Sequence, residues 1–122
     1  MAGYKAEITF ATKELDKREK IKLKDLTNAI KLDEATRDKE IEIEVDMFAE
    51  IHVDNDNSPD KEYVKYVVVD TDGTKYVTGS ENFYTTLKDI WDEMDGEKFV
   101  ISVYQTPSKK YQGKFFISCS LV

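Results

Sequence analysis

Apolar residues occupy every second position from Ile41 to Val53, and this run constrains the fold more than any other feature of the chain. The positions between them carry Glu, Asp, His and one Phe. Side chains of a strand point alternately to its two faces, so this pattern predicts one long strand with a single buried face. A strand of that length usually bends or coils around a core, as in a small barrel.

Strand and turn signals continue beyond this run. Turn-forming residues at 54–61 end the first strand, and Glu62–Asp70 is rich in β-branched and aromatic residues, which predicts a second strand. Asp72-Gly73 is a hairpin signal, and it is followed by a short third strand at 75–78.

A helix is predicted next. Ser80 is a plausible N-cap, Glu81 lies in the first turn, and Gly96 is suited to the C-terminal stop. Its apolar residues repeat at helical spacing and predict a core-facing side: Phe83, Leu87, Ile90, Trp91 and Met94. Two final strands, 98–104 and 114–122, flank a connection at 105–113 that is longer than a tight turn.

From residue 41 onward the predicted order is therefore three strands, one helix and two strands. An OB-fold, a five-stranded Greek-key barrel, has this order, and its oligonucleotide-binding loops join strands 1 and 2 and strands 4 and 5. A meander packed on one helix would show the same order. We predict a β-rich α+β fold, with an OB-like barrel at 41–122 and an N-terminal extension at 1–40 in a single domain. Within the extension we expect a strand near 4–12 and a short helix, for which Leu26, Ala29 and Ile30 have suitable spacing.

Composition limits the setting and the partners. The chain has 122 residues, one Cys and formal charge -7, and no apolar run approaches the roughly 18 residues of a membrane span. We therefore expect a cytoplasmic protein without disulfides that has no membrane partner. The charge is uneven: 32–60 sums to -9, whereas 98–122 holds four lysines and no acid.

Catalytic and metal-binding patterns are weak. His52 is the only histidine and is expected to be exposed, and Cys119 lies on an apolar strand face. The acidic stretch from Asp54 resembles the opening of a calcium loop, but Pro59 and Lys65 stand where that loop needs glycine and glutamate. We expect no enzymatic activity, no metal and no cofactor.

Aromatic residues interspersed with lysines are the remaining signal. Proteins that bind single-stranded nucleic acid stack bases on aromatic rings while cations follow the phosphates. Only one face of the second and third strands can contribute. The candidate binding residues are Lys65, Tyr66, Lys75, Tyr76, Tyr104, Lys109, Lys110, Tyr111, Lys114 and Phe116. Tyr104 and Phe116 are expected on the side of their strands opposite the core.

The segment from about Val64 to the C-terminus resembles the single-stranded DNA-binding proteins of small tailed phages with protein-primed replication. The similarity lies in "YVVVDTDGTKYVTG", the amphipathic helix, and "KFVISVYQTPSKKYQGKFFISCSLV". It implies a non-enzymatic binder in the host cytoplasm that coats and protects exposed strands during phage DNA replication or recombination. Contacts with replication proteins and self-association would fit this role, and no cofactor is needed.

An alternative hypothesis rests on the acids. The predicted anionic strand face could imitate nucleic acid and occupy the basic site of a host protein, which would make the chain a protein-interaction module. That face comprises Glu42, Glu44, Asp46, Glu50 and the tract Asp54–Asp60. A small enzyme is the third and weakest hypothesis. The two leading hypotheses make opposite demands, since the first requires the lysines and tyrosines and the second requires the acids.

Overall fold

A computed structural model describes residues 4–55, 62–107 and 115–122 of the chain. Within these residues no helix is long and apolar enough to cross a membrane. The elements, in chain order, are β1 Tyr4–Ala11, α1 Lys17–Lys24, β2 Ile30–Lys31, α2 Leu32–Ala35, β3 Ile41–Asn55, β4 Glu62–Asp70, β5 Lys75–Thr78, α3 Glu81–Met94, β6 Val100–Pro107 and β7 Phe115–Leu121.

The strands form one curled sheet in the order β2-β5-β4-β3-β6-β7, and β1 also pairs with β3. The first residues of β3 pair with β6, whereas its remainder pairs with β4 and, near its end, with β1. All pairings are antiparallel except that of β2 with β5. The predicted β-rich α+β architecture with a curled sheet is therefore confirmed.

Polar contacts bridge the gap between the two ends of the curled sheet. Ser80 Oγ and Asn82 Nδ2, at the start of α3, donate to the Ile117 carbonyl of β7 at 3.4 and 3.2 Å. Residues around α2 reach both sides of the gap: Thr78 Oγ1 donates to Asp33 Oδ1 at 2.9 Å, and Gln105 Nε2 donates to the Asp33 carbonyl at 2.8 Å. The sheet is thus a half barrel whose opening is spanned by helical segments.

The long strand β3 departs from the prediction of one buried face. Its pairing with β4 shifts register between Val45 and Met47, which is the signature of a β-bulge. A bulge inserts one residue, so the alternation changes face. Val45 therefore packs on the face that α3 covers, which we call the inner face, whereas Met47 packs on the opposite, outer face. Phe48, which the pattern grouped with the polar residues, is fully buried on the inner face.

The inner core lies between the sheet and α3 and is rich in aromatic residues. Phe48 makes edge-to-face contacts with Tyr84 and Trp91, at centroid distances of 5.7 and 5.2 Å. Such pairs stabilise a core beyond the burial of their area. Its buried members are Leu32, Ile43, Val45, Phe48, Tyr66, Val68, Phe83, Tyr84, Leu87, Phe99, Ile101, Val103, Ile117 and Cys119.

The outer core is smaller and aliphatic. It lies beneath α1 and the segments that flank this helix, and Leu23 is the one residue of α1 that is buried in it. The buried members are Leu23, Met47, Ala49, Ile51, Val53, Val67 and Val77. Residues 4–29 therefore belong to the body of the fold, because they supply a strand to the sheet and the cover of this core.

Helix α1 lies earlier in the chain than the spacing of Leu26, Ala29 and Ile30 predicted. Asp16 accepts the amide of Glu19 at 2.8 Å, and the Glu19 carboxylate accepts the amide of Asp16 at 3.2 Å. This reciprocal capping box satisfies two amides that a helix start leaves free. The Asp-x-x-Glu spacing is visible in the sequence and outweighs the apolar spacing, whose residues lie in the connection after the helix and at the start of β2.

The predictions for α3 and the β4–β5 turn are confirmed. Ser80 Oγ accepts the Phe83 amide at 3.2 Å, so it is the N-cap of α3. Asp95 and Gly96 both have positive φ after the last helical turn, 45° and 89°, which suits a C-terminal stop. Gly73 has φ 92° in the hairpin turn, where a side chain would be strained.

Candidate nucleic-acid interface

The β6–β7 pair carries two of the predicted site residues. Tyr104 lies opposite Ser118 and Phe116 lies opposite Thr106, so both aromatic side chains point to the outer face. The neighbouring pair, Val103 and Cys119, points to the other side and belongs to the inner core. Tyr104 is half-buried with its hydroxyl 2.5 Å from Ser120 Oγ, and Phe116 is 46% exposed. Their expected side of the sheet is therefore confirmed.

A cleft opens beside the end of this strand pair. It has a volume of about 630 Å³ and is lined by residues 36–40, Tyr104, Gln105 and Phe115. We call it the hairpin cleft. Volumes of about 300–1,000 Å³ are usual for small-molecule sites, so the cleft is large enough for a nucleotide. Phe115 is 61% exposed at the edge of the cleft. The alternation along β7 directs its side chain to the inner face, but the inner core ends before this position, so the ring stays exposed.

The wall formed by residues 36–40 is held against β6 by hydrogen bonds. Gln105 Nε2 donates to the carbonyl of Asp33 at 2.8 Å and to Thr36 Oγ1 at 3.0 Å. Thr36 is itself buried, and its hydroxyl donates to the Leu32 carbonyl at 2.7 Å. This anchoring places the exposed side chains of Arg37 and Lys39 beside the two aromatic residues of the cleft.

Sequence reasoning missed the basic side of this cleft. Arg37 and Lys39 lie in the strongly acidic tract, so local charge gave no indication of their role. Two acids, Asp38 and Glu40, also line the cleft, so the two cations are balanced by two carboxylates, and Glu40 is fixed by accepting the Ser102 hydroxyl at 2.6 Å. The signal that could have found the cleft is the buried Thr36 with its partner Gln105, which only the tertiary structure joins.

Four of the predicted site residues lie outside the described part of the chain: Lys109, Lys110, Tyr111 and Lys114. They stand in the sequence between Pro107 and Phe115, which face each other across β6 and β7. Their assignment to the interface stays a prediction from sequence.

The four predicted residues on β4 and β5 are divided between the two faces of the sheet. Tyr66 and Tyr76 point inward, whereas Lys65 and Lys75 point outward. Tyr66 is only 7% exposed and stacks on Tyr84 at 4.1 Å with an interplanar angle of 13°. Burial, with a smaller effect from Glu50, raises the pKa of Tyr66. Its ring is thus a core element and is not accessible to a base in this structure.

The two outward lysines are also separated from the hairpin cleft. Lys75 donates to the carbonyls of Lys22, at 2.6 Å, and of Asp25, so its ammonium caps the C-terminal end of α1. Lys65 is half-buried with its ammonium 5.6 Å from the centre of the Tyr63 ring. Tyr76 is half-buried against the inner core. The structure therefore does not bring the six described members of the predicted set together on one surface.

The alternative hypothesis expected the acids of the long strand to form one row on a single face. This expectation is wrong, because the acids are divided between the two faces. Glu42 lies opposite Ser102 on the outer face, whereas Glu50 lies opposite the buried Tyr66 on the inner face. The β-bulge causes this change of side. Asp46, which lies at the bulge, forms an ion pair with Lys13 at 3.5 Å, the sole salt bridge within the described ranges.

One group among the described residues combines ligand types that could hold a metal ion. The donor atoms of His52, Asp54 and Glu62 lie within 4.8 Å of one another at the end of the β3–β4 ladder. Asp54 and Glu62 are exposed and His52 is half-buried. Protein metal sites usually orient their ligands with surrounding hydrogen bonds, which exposed carboxylates at a strand end do not provide. The group is a solvated strand end that could take a loosely held divalent ion.

Cys119 has the environment of a core residue. It is buried, and burial raises the pKa of its thiol to about 12. The thiolate is the reactive form of cysteine, so this side chain is poorly suited to nucleophilic catalysis.

Comparison with family models, with curated proteins and with solved structures finds no match to this chain. The geometry described above is therefore the basis on which a function can be proposed.

Proposed function

We propose that the chain is a non-enzymatic single-stranded DNA-binding protein without sequence preference, and that the hairpin cleft is a principal contact. The observation that carries the proposal is the combination in one cleft of two aromatic side chains, Tyr104 and Phe115, with two cations, Arg37 and Lys39. Aromatic rings stack on any base, and cations screen the phosphates between bases, so this chemistry binds a single strand without reading its sequence.

The exposed aromatic surface near the cleft supports the same proposal. Phe115 and Phe116 are adjacent and both exposed, and their side chains leave opposite sides of β7. Phe48, Phe83 and Phe99 are buried in the inner core, whereas these two large apolar side chains are exposed together at one strand end, as in surfaces that bind a partner or ligand. A base stacked on either ring would remove this apolar area from water.

The finer fold assignment, an OB-like barrel, belongs to the same proposal. The order β3-β4-β5-α3-β6-β7 and the pairing of β3 with both β4 and β6 agree with it. In that fold the connection between the last two strands is a ligand-binding loop. The hairpin cleft lies beside the equivalent strand ends, and the sequence places Lys109, Lys110, Tyr111 and Lys114 between them. A barrel of this kind would close with β7 beside β5, whereas in the described strands β2 pairs with that edge of β5 and polar contacts bridge the remaining gap to β7.

The resemblance to phage single-stranded DNA-binding proteins agrees with this role, and with a place in phage DNA replication or recombination. The alternative, an acidic module that blocks a host nucleic-acid-binding factor, has less support because the β-bulge divides its acids between two faces. It remains a defined outcome of the experiment below.

Fluorescence anisotropy of a labelled oligo-dT tests the proposal, with duplex DNA of equal length measured alongside from low to physiological salt. We expect salt-sensitive binding to the single strand and weak binding to the duplex. Phe115→Ala should weaken binding roughly 5- to 150-fold, since stacking contributes about 1–3 kcal/mol per base. Leu121→Ala, at the other end of the same strand and also exposed, is the matched control and should bind normally.

Charge in the cleft is tested by Arg37→Gln/Lys39→Gln against Lys98→Gln, an exposed lysine outside the cleft. The double variant should reduce the salt dependence of binding, whereas the control should have a smaller effect. Absence of binding to oligo-dT at low salt would exclude the proposed function, and equal affinity for duplex DNA would exclude base stacking. Capture of a basic protein that depends on Glu42 and Glu44 would then favour the alternative.

A further inference from the structure

Helix α1 has the highest density of positive charge in the described chain. Five of its eight residues are basic, and Glu19 is its one acid, in a protein of formal charge -7. All of the basic residues except Lys24 are exposed, and Lys24 is half-buried. Arg18 and Lys22, and also Lys20 and Lys24, are four residues apart, where like charges on a helix repel each other.

No side chain of α1 forms a salt bridge within the described ranges. The Glu19 carboxylate is engaged in the capping box, and the one salt bridge within the described ranges joins Lys13 to Asp46 outside the helix. Only Leu23 anchors the helix in the outer core, while Ile21 is 66% exposed. The charge therefore works against the stability of a short helix that has little burial to offset it.

The lysines on the two flanks of α1 differ in their engagement. On the flank toward β5, Lys75 caps the end of the helix and Lys13 pairs with Asp46. On the flank toward β1, Lys5, Lys20 and Lys24 line a shallow cleft of about 310 Å³, which we call the lysine cleft. Glu7 is the one acid among the described residues that line it, and Lys24 Nζ donates to the Ala6 carbonyl at 3.3 Å. The side chains of Lys5 and Lys20 form no hydrogen bond or ion pair with the described residues.

The position of α1 connects this cleft with the sheet. The outer face of β4 and β5 corresponds to the face that binds oligonucleotides in an OB-like barrel. Here that face is covered, because Val67 and Val77 are buried in the outer core beneath α1. A strand of nucleic acid on this side of the molecule would meet the basic helix and not the sheet.

We infer that the lysine cleft is a second contact for single-stranded DNA, in which Lys5, Lys20 and Lys24 bind the phosphodiester backbone. None of the described residues that line the cleft is aromatic, so we assign it to phosphates and not to stacked bases. Glu42 and Glu44 lie on the outer face of β3 near its start, so the two contacts are separated by acids and hold different segments of the strand. The inference rests on the proposed function for the identity of its ligand.

The test compares Lys20→Gln/Lys24→Gln with the matched control Lys31→Gln/Lys98→Gln, which removes the same charge elsewhere. Gln is a good helix former, so α1 should persist, which circular dichroism and thermal unfolding would verify. Oligo-dT binding is measured between 50 and 200 mM salt for both variants, for Phe115→Ala and for the wild type. Each phosphate contact to a single strand contributes about -0.7 to the slope of log K against log salt.

We expect the slope for the α1 variant to be less steep than that of the wild type by about 1.4, because two phosphate contacts are removed. Between 50 and 200 mM salt, the affinity of the wild type should therefore fall about sevenfold more than that of the variant. The control should keep the wild-type slope. A slope unchanged by the α1 substitutions, with binding still lost in Phe115→Ala, would overturn this inference and leave the proposed function intact. Binding that depends on α1 but not on Phe115 would overturn the hairpin cleft instead.

Two further outcomes would also overturn the inference. Absence of oligo-dT binding by the wild type at 50 mM salt would exclude both proposals together. Concentration-dependent self-association that the α1 variant abolishes, with an unchanged slope for oligo-dT, would assign the basic surface to contact with acids of a second copy. Sedimentation velocity of the wild type and both lysine variants distinguishes this case.

Discussion

The inner and outer cores lie on opposite sides of the same strand, β3, yet they are built differently. The inner core packs large aromatic side chains between the sheet and the fourteen-residue helix α3. The outer core packs aliphatic residues beneath the eight-residue helix α1, which has a single buried residue. Burial of apolar area is the main source of stability, so the inner core should hold the fold while the cover of the outer core can carry charge.

This division explains why the strongly basic helix α1 lies over the outer core. A helix covered with lysines adds repulsion, and the protein can tolerate it only where little of the total stability depends on that helix. Predictions that compare equivalent substitutions in the two cores test this explanation.

The largest difference is expected between Leu87→Ala and Leu23→Ala. Leu87 is fully enclosed in the inner core, so its truncation leaves a cavity and should lower the free energy of unfolding by about 4 kcal/mol. Leu23 belongs to a short helix, α1, that can settle into the space left by its truncation, so about 2 kcal/mol is expected there. Urea unfolding at constant m-value measures both. A larger loss for Leu23→Ala would contradict the proposed division of stability.

A smaller effect is expected from the two helix N-caps. Asp16→Ala and Ser80→Ala should each cost about 1 kcal/mol of helix stability, because each leaves helical amides without an acceptor. Ser80→Ala also removes a hydrogen bond to the Ile117 carbonyl, which should weaken the contact between α3 and β7.

Hydrogen exchange distinguishes the consequences of the two cap variants. We expect Asp16→Ala to accelerate exchange only in the amides of α1, since that helix can open alone, whereas Ser80→Ala should accelerate exchange throughout the inner core. Uniform acceleration in both variants would show that α1 does not open independently of the body.

The smallest expected effect is a loss of folding stability that appears only in alkaline solution and is confined to the inner core. Burial raises the pKa of Cys119 and that of Tyr84 to about 12, from ordinary values of 9.0 and 10.0. Above about pH 9 the unfolded chain releases protons that the folded chain retains, so stability present below pH 9 is lost as pH rises toward 12. No buried member of the outer core titrates.

Cys119→Ala and Tyr84→Phe should each reduce this alkaline loss, as measured by unfolding midpoints at pH 7 and pH 10.5. Tyr84→Phe should also be nearly neutral at pH 7, because its hydroxyl is buried without a hydrogen-bond partner among the described residues. A large loss of stability at pH 7 in Tyr84→Phe would mean that the hydroxyl has a partner.

Much of the fold could be predicted from local pattern. The strands from residue 41 onward, the Asp72-Gly73 turn and the cap at Ser80 depend on side chains close in sequence, so the sequence identifies them without a partner segment. Apolar spacing predicts a helix at the wrong position in the N-terminal third, whereas the capping box of Asp16 and Glu19 marks the start of the helix at 17–24. The candidate site was harder to predict, since none of the five basic residues that line the two clefts among the described residues is a candidate binding residue of the sequence analysis.

The sequence by itself determined the class of the fold, the central position of a long strand and the outward aromatic side chains Tyr104 and Phe116. These features follow from periods of two and 3.6 residues and from turn chemistry, which act over short distances. Only the tertiary structure decided that a bulge sends Val45 and Met47 to different cores, that Tyr66 is buried against Tyr84, and that Arg37 reaches the cleft beside Phe115. The reason is physical: which face of an alternating strand is buried, and which distant segments meet there, depends on the partners that cover it.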